Sequence, residues 1–172
     1  MRTWHHPEEK VGLPDGVWKD EPDKAQWVDP STDLDCLIVR NHSGVLCGYV
    51  GVPPEHPAHG HEYNDLNVAV HGGLTYANSC NEDAEEGHGI CHIPEPGRPD
   101  DVWWFGFDTG HHTDYVPGMA DEMARIVKSS KELSDLAWRG FTPADYKTFD
   151  YVKTEVEALA TQLASIPSVV GW

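Results

Sequence analysis

Leu34-Asp-Cys-Leu-Ile-Val-Arg40, Asn41-His-Ser-Gly44 and Val45-Leu-Cys-Gly-Tyr-Val-Gly-Val52 follow one another without a break. The outer runs are apolar and rich in β-branched residues, and the four residues between them carry turn chemistry. The pattern predicts a β-hairpin. Pro53-Pro54 ends it, because proline cannot donate to a ladder. Downstream, residues 67–78 predict a third strand. It is interrupted at Gly72-Gly73, where glycine marks a bulge or the close approach of a ligand. Val102-Trp-Trp-Phe-Gly-Phe107 predicts a fourth strand, apolar on both faces and therefore central.

The C-terminal part reads as helical. Residues 119–136 suit one or two modest helices. Thr142 reads as an N-cap, with Pro143 in the first helical position and Asp145 in the first turn. Phe149, Val152, Val156, Leu159, Leu163 and Ile166 then form one apolar stripe, and Pro167 ends the helix. Residues 1–33 are polar and proline-punctuated. Trp4, Trp18 and Trp27 argue that they wrap the core as an irregular arm. The expectation is one α+β domain over residues 1–172, a small, mostly antiparallel sheet of about four or more strands with a long C-terminal helix packed on it. Its parts are the arm (1–33), the sheet and site (34–114) and a helical part (115–172).

The chain has 172 residues, enough for one core, and its sixteen glycines and thirteen prolines speak against a plain helical bundle. The formal net charge is −17. Such a chain repels nucleic acid and anionic membranes, so direct nucleic-acid binding is not expected. Between Asn41 and Ala124 the only basic residue is Arg98, against fourteen acidic ones, which excludes a phosphate site built from Lys and Arg there. The first residues lack the apolar run of a signal peptide, and no stretch approaches the length of a membrane span. A cytoplasmic location and reduced cysteines are therefore expected. Cys36 and Cys47 share the eleven-position spacing of Cys80 and Cys91. Without a C-x2-C pattern that spacing reads as coincidence.

Nine of the eleven histidines lie between His42 and His112. Histidine is the commonest metal ligand. The foremost cluster is Asp108-Thr-Gly-His111-His112-Thr-Asp114, directly after the central strand. Asp108, His111 or His112, and His71 from the third strand are the expected metal ligands, for zinc or another divalent transition metal. A set of histidines with a carboxylate leaves a position open for water. Asp114 is the expected general base or an orienter of a ligand. A second cluster, His56-Pro-Ala-His59-Gly-His61-Glu62-Tyr-Asn-Asp65, reads mainly as an exposed loop, with His61 a candidate to join the site. In a third, Gly87-His-Gly-Ile-Cys91-His92, Cys91 reads as a small buried thiol and not as a nucleophile. Gly72, Gly73, Thr75 and Tyr76 can cradle a ligand through backbone N–H groups, and Trp104 can stack on its ring. Aromatics in strands are more often core.

The runs Cys47-Gly-Tyr-Val-Gly-Val-Pro53, His71-Gly-Gly-Leu-Thr-Tyr76 and Trp103-Trp-Phe-Gly-Phe-Asp108, followed by His111 and Asp114, resemble a family of uncharacterised bacteriophage and bacterial proteins. The resemblance covers roughly residues 34–166, including Tyr151-Val-Lys-Thr-Glu-Val-Glu157. It carries no established function. The family often has a cysteine where this chain has Thr109, which weakens a thiolate ligand at that position. A phage setting implies action in the host cytoplasm, against a host defence. Two functional expectations stand side by side. One is a metal-dependent hydrolase of a small molecule or nucleotide. The other is a binding module without turnover, a small-ligand sponge or an acidic inhibitor of a host protein.

Overall fold

In a computed structural model, residues 1–80, 84–85, 87–129 and 142–167 are described. Six strands form one antiparallel sheet: β1 (Arg2–Trp4), β2 (Lys24–Val28), β3 (Asp35–Arg40), β4 (Leu46–Val52), β5 (Tyr76–Ser79) and β6 (Trp103–Asp108). Their order is β1-β2-β3-β4-β6-β5. Among the described residues two α-helices follow, α1 (Ala120–Ser129) and α2 (Phe149–Ala164). The α+β expectation holds. The expected helical continuation beyond Ser129 lies outside the described residues.

The β3–β4 hairpin forms as its sequence predicts, with Ile38 opposite Gly48. Asn41 directs the turn, its side-chain oxygen accepting from the backbone N–H of Ser43 at 2.9 Å and of Val45 at 3.3 Å. Both faces of this pair are covered. On one face Ile38, Val50, Phe105 and Phe107 meet Val152, Val156, Leu159 and Leu163 of α2. On the other, Leu37, Tyr49 and Trp104 pack with Val102, Tyr76 and Ile90. Burying each large apolar side chain contributes about 1.5–3 kcal/mol. Gly48 sets the helix–sheet distance: a Cβ there would lie 2.5 Å from Val156 Cγ2 and 2.6 Å from the Phe107 ring.

Four expectations need correction. The arm is not irregular throughout, because its β1 and β2 extend the sheet beyond β3. It also caps α2 from a distance, since Glu21 accepts the Phe149 N–H at 2.7 Å. Thr142 does not start the long helix. Thr142 and Asp145 form a capping box around a 3-10 turn, Pro143–Asp145, and Thr148 is the N-cap of α2. The third strand is short. Of residues 67–78 only Tyr76–Asn78 pair with β6. The stretch before them is held by helix side chains: Gln162 accepts from Ala69 N–H at 2.7 Å and donates to Ala69 C=O at 2.8 Å. Backbone groups satisfied by a helix need no strand partner. Finally, Cys80 and Cys91 form a disulfide, so the expectation of four reduced thiols fails for that pair. Cys36 and Cys47 are free and buried, and burial pushes the Cys47 thiol up to about 12. They lie on opposite faces of the sheet, so their shared spacing brings nothing together.

Among the described residues, no helix is long and apolar enough to cross a membrane.

Candidate metal centre

Three separate segments meet beyond the end of β6. The first is the turn that carries His71. It closes with a Gly73 N–H to Val70 C=O bond of 3.0 Å, and Gly72 and Gly73 have φ of 67° and 86°. Gly72 is required on two counts. Its φ is left-handed, and a Cβ would stand 2.1 Å from the His111 ring. The second segment runs from Asp108 to Asp114. Asp108 Oδ1 accepts from Gly110 N–H at 2.9 Å, and Asp114 N–H donates to His111 C=O at 2.8 Å. Thr109 is buried and its hydroxyl donates to Leu46 C=O at 2.8 Å, which staples this turn to β4. The third segment is the start of α2, with Lys147 just before it.

These segments bring His71, His111 and Asp114 together, with one ligand atom of each within 4.8 Å of the others. His71 Nε2 lies 2.7 Å from Asp114 Oδ2, and His71 Nδ1 lies 2.9 Å from the Tyr151 hydroxyl. The His71 backbone N–H donates to Glu155 Oε2 at 2.8 Å. Asp114 Oδ2 also accepts from His111 N–H at 3.1 Å, and His111 Nδ1 stands 3.4 Å away. Two atoms are left over. Asp114 Oδ1 and His111 Nδ1 are buried with no hydrogen-bond partner among the described residues. Lys147 Nζ, 3.6 Å from Asp114 Oδ1, supplies charge without a hydrogen bond. An unpartnered carboxylate oxygen in a buried position is costly, and three ligand atoms this close together could hold a divalent ion.

The other sequence candidates are spread out. Asp108 stays close, 3.9 Å from His111 Nδ1, but its oxygens engage Gly110 N–H and, at 3.3 Å, the Thr75 hydroxyl. His112 is exposed and outside the group. Thr75 N–H donates to Gly106 C=O at 2.9 Å and so begins the β5 ladder. Gly73 faces open space. Tyr76 packs edge-on to Tyr49 on the sheet face away from α2. Trp104 is fully buried on that same face, against His92, and presents no ring face to a ligand. His61 is a loop residue whose carbonyl accepts from Trp103 Nε1 at 2.9 Å. Its neighbour His56 caps α2, with Nε2 3.0 Å from Leu163 C=O. Three residues of the site were missed: Lys147, Tyr151 and Glu155. Their four-residue spacing, a polar line beside the apolar stripe, is the signal that was available.

Burial, followed by the Glu155 and Asp114 carboxylates, holds the Tyr151 phenol above its ordinary range. It is therefore a hydroxyl at neutral pH, able to donate to or accept from His71. The chain matches no protein family, no curated protein and no solved structure.

Proposed function

We propose that His71, His111 and Asp114 bind a zinc-like divalent ion and that the protein hydrolyses a small molecule there. The observation behind this reading is the convergence of His71, His111 and Asp114, in which His111 Nδ1 and Asp114 Oδ1 are buried with no hydrogen-bond partner among the described residues. Two histidines and a carboxylate make a three-ligand set that leaves a coordination position open. The surroundings favour it too. If Tyr151 accepts from His71 Nδ1–H, the His71 Nε2 lone pair points at Asp114 Oδ2. Two lone pairs at 2.7 Å need a cation or a proton between them. Histidine ligands are commonly held through their other nitrogen in this way. When bound, the metal supplies Lewis-acid polarisation and an activated water.

This reading exchanges two roles expected from sequence. Asp114 has no exposed side-chain surface and belongs among the ligands. Asp108, more open and 3.9 Å from His111, is placed to accept a proton from water. Lys147 offsets part of the carboxylate charge. The test is elemental analysis of tag-free protein beside a His71→Ala, His111→Ala variant. Loss of one equivalent of metal in the variant is expected, together with loss of hydrolysis in a substrate screen. Equal metal content in the two proteins sinks the assignment.

A second reading rests on a specific chain of contacts, Asp114 to His71 at 2.7 Å and His71 to Tyr151 at 2.9 Å. Without metal it is a carboxylate–imidazole–phenol relay suited to general acid–base work. Activity that survives chelation and is abolished in Tyr151→Phe selects it. Binding without turnover, through stacking on Trp104, gains no support from a tryptophan with no exposed face.

A further inference from the structure

His6, just after β1, and His88, between β5 and β6, stack ring on ring, with centroids 4.0 Å apart and planes 25° apart. Each ring has one nitrogen engaged. His6 Nε2 lies 2.9 Å from Gly87 C=O, an acceptor, so that nitrogen carries the proton. His88 Nε2 lies 3.0 Å from Glu9 Oε1, also an acceptor. Both contacts favour the tautomer whose Nδ1 carries a lone pair. His6 Nδ1 faces Glu8 Oε1 at 3.7 Å, and His88 Nδ1 is buried with no hydrogen-bond partner among the described residues. One ligand atom each from His6, Glu8 and His88 lie within 4.8 Å of one another. A carbonyl behind one imidazole and a carboxylate behind the other are the outer contacts that metal-binding histidines ordinarily have.

The surroundings hold this arrangement in place. The His6 N–H donates to buried Asp23 at 2.7 Å. Lys24 Nζ donates to His88 C=O at 3.1 Å and to Cys91 C=O at 2.6 Å, and the Cys80–Cys91 disulfide closes the same loop. Gly87 lies against Trp4, where a Cβ would be 2.8 Å from the indole. A cleft of about 360 Å³, lined in part by His42, Val39 and Arg40, opens beside the two rings and gives an ion access.

We propose that His6, Glu8 and His88 form a second site for a divalent transition ion of the zinc class, clipping the N-terminal segment to the disulfide-closed loop. Imidazole and carboxylate together suit such ions. A tetrahedral ion with bonds of about 2.0–2.1 Å draws its ligands closer than they stand here. Exposed Glu8 swings in and the rings turn so that their lone pairs converge. The site is independent of the one at His71.

The experiment is zinc titration of metal-free full-length protein by calorimetry with a competing chelator. Wild type is expected to take two equivalents. Both His88→Gln and Asp114→Asn are expected to take one, each losing a different site. Glu9→Gln, which removes the contact behind His88, is expected to weaken one site by roughly 10–100-fold. If His88→Gln fails to fold by circular dichroism, Glu8→Gln at an exposed position takes its place, with at least a tenfold weaker site expected. Unchanged stoichiometry and affinity in these variants, or no zinc bound by wild type, overturns the proposal. One equivalent retained in Asp114→Asn and lost in the Asp114→Asn, His88→Gln double variant supports it even if the His71 site binds nothing.

Discussion

Asp23 and Asp114 are buried to nearly the same degree, 2% and 1% exposed, but they are surrounded differently. Asp23 Oδ1 takes Arg40 Nε at 2.7 Å and Lys10 Nζ at 3.1 Å, and its Oδ2 takes the His6 N–H at 2.7 Å. Arg40 reaches on to the Tyr146 hydroxyl at 2.7 Å and to Glu21 at 3.2 Å. That network joins the N-terminal segment, the hairpin and the approach to α2, and both Asp23 oxygens have partners. Around Asp114 one oxygen is crowded and the other has only the Lys147 ammonium at 3.6 Å, and neither it nor His111 Nδ1 has a hydrogen-bond partner among the described residues. A buried charge with all its partners made is a structural part. One with coordination to spare, beside a second bare atom, is shaped for something else. Residue type and burial are the same in the two regions. Completeness of partners separates them.

The largest effect should come from breaking the complete network. Asp23→Ala leaves buried Lys10 without its carboxylate and buried Arg40 with Glu21 alone. A loss of about 3–5 kcal/mol is expected in urea denaturation. A loss below 1 kcal/mol would remove the contrast with Asp114. Next comes the incomplete site. Zinc at a hundred times its Kd should stabilise wild type by about 2.7 kcal/mol from the His71 site alone. In Asp114→Asn that contribution should vanish, leaving any shift due to the His6 site. An Asp114→Asn protein that zinc stabilises as much as wild type breaks the comparison from the other side.

Gly72→Ala should cost roughly 1–2 kcal/mol for a left-handed backbone carrying a Cβ. It should also weaken metal binding, because the Cβ displaces the His111 ring. Thermal melting and zinc titration read the two effects separately.

The smallest effect belongs to His92, whose ring nitrogens are buried with no hydrogen-bond partner among the described residues. Burial lowers its pKa below the usual 6.5, opposed by Asp35 and Asp100 and aided by Arg98. The unfolded chain therefore binds the extra proton more readily. Stability from this residue is complete above about pH 6.5 and declines as pH falls toward the lowered native value. His92→Phe should flatten that part of the stability–pH curve. An unaltered slope between pH 5 and 7 would show that another group carries it.

The hairpin, the central strand at Trp103–Asp108 and the apolar stripe of α2 were legible because each follows a local period. Gly72 was legible as a special position, though not for its reason, which is the His111 ring. The irregular course of residues 67–75 was not legible. Val-Ala-Val reads as strand until Gln162 and Glu155 arrive from a helix far along the chain. The start of α2 was misplaced because Thr142-Pro-Ala-Asp145 is as good a cap for one 3-10 turn as for a long helix.

Sequence by itself determined the α+β class, the sheet core and the stretch in which His71, His111 and Asp114 lie, since apolar period and residue chemistry are written along the chain. Only the tertiary structure decided which histidines meet. His61 and His112 fall away, Asp114 joins His71 and His111, and His6 meets His88. Convergence of side chains from distant segments depends on strand order and helix placement, and no local pattern encodes a distance between them.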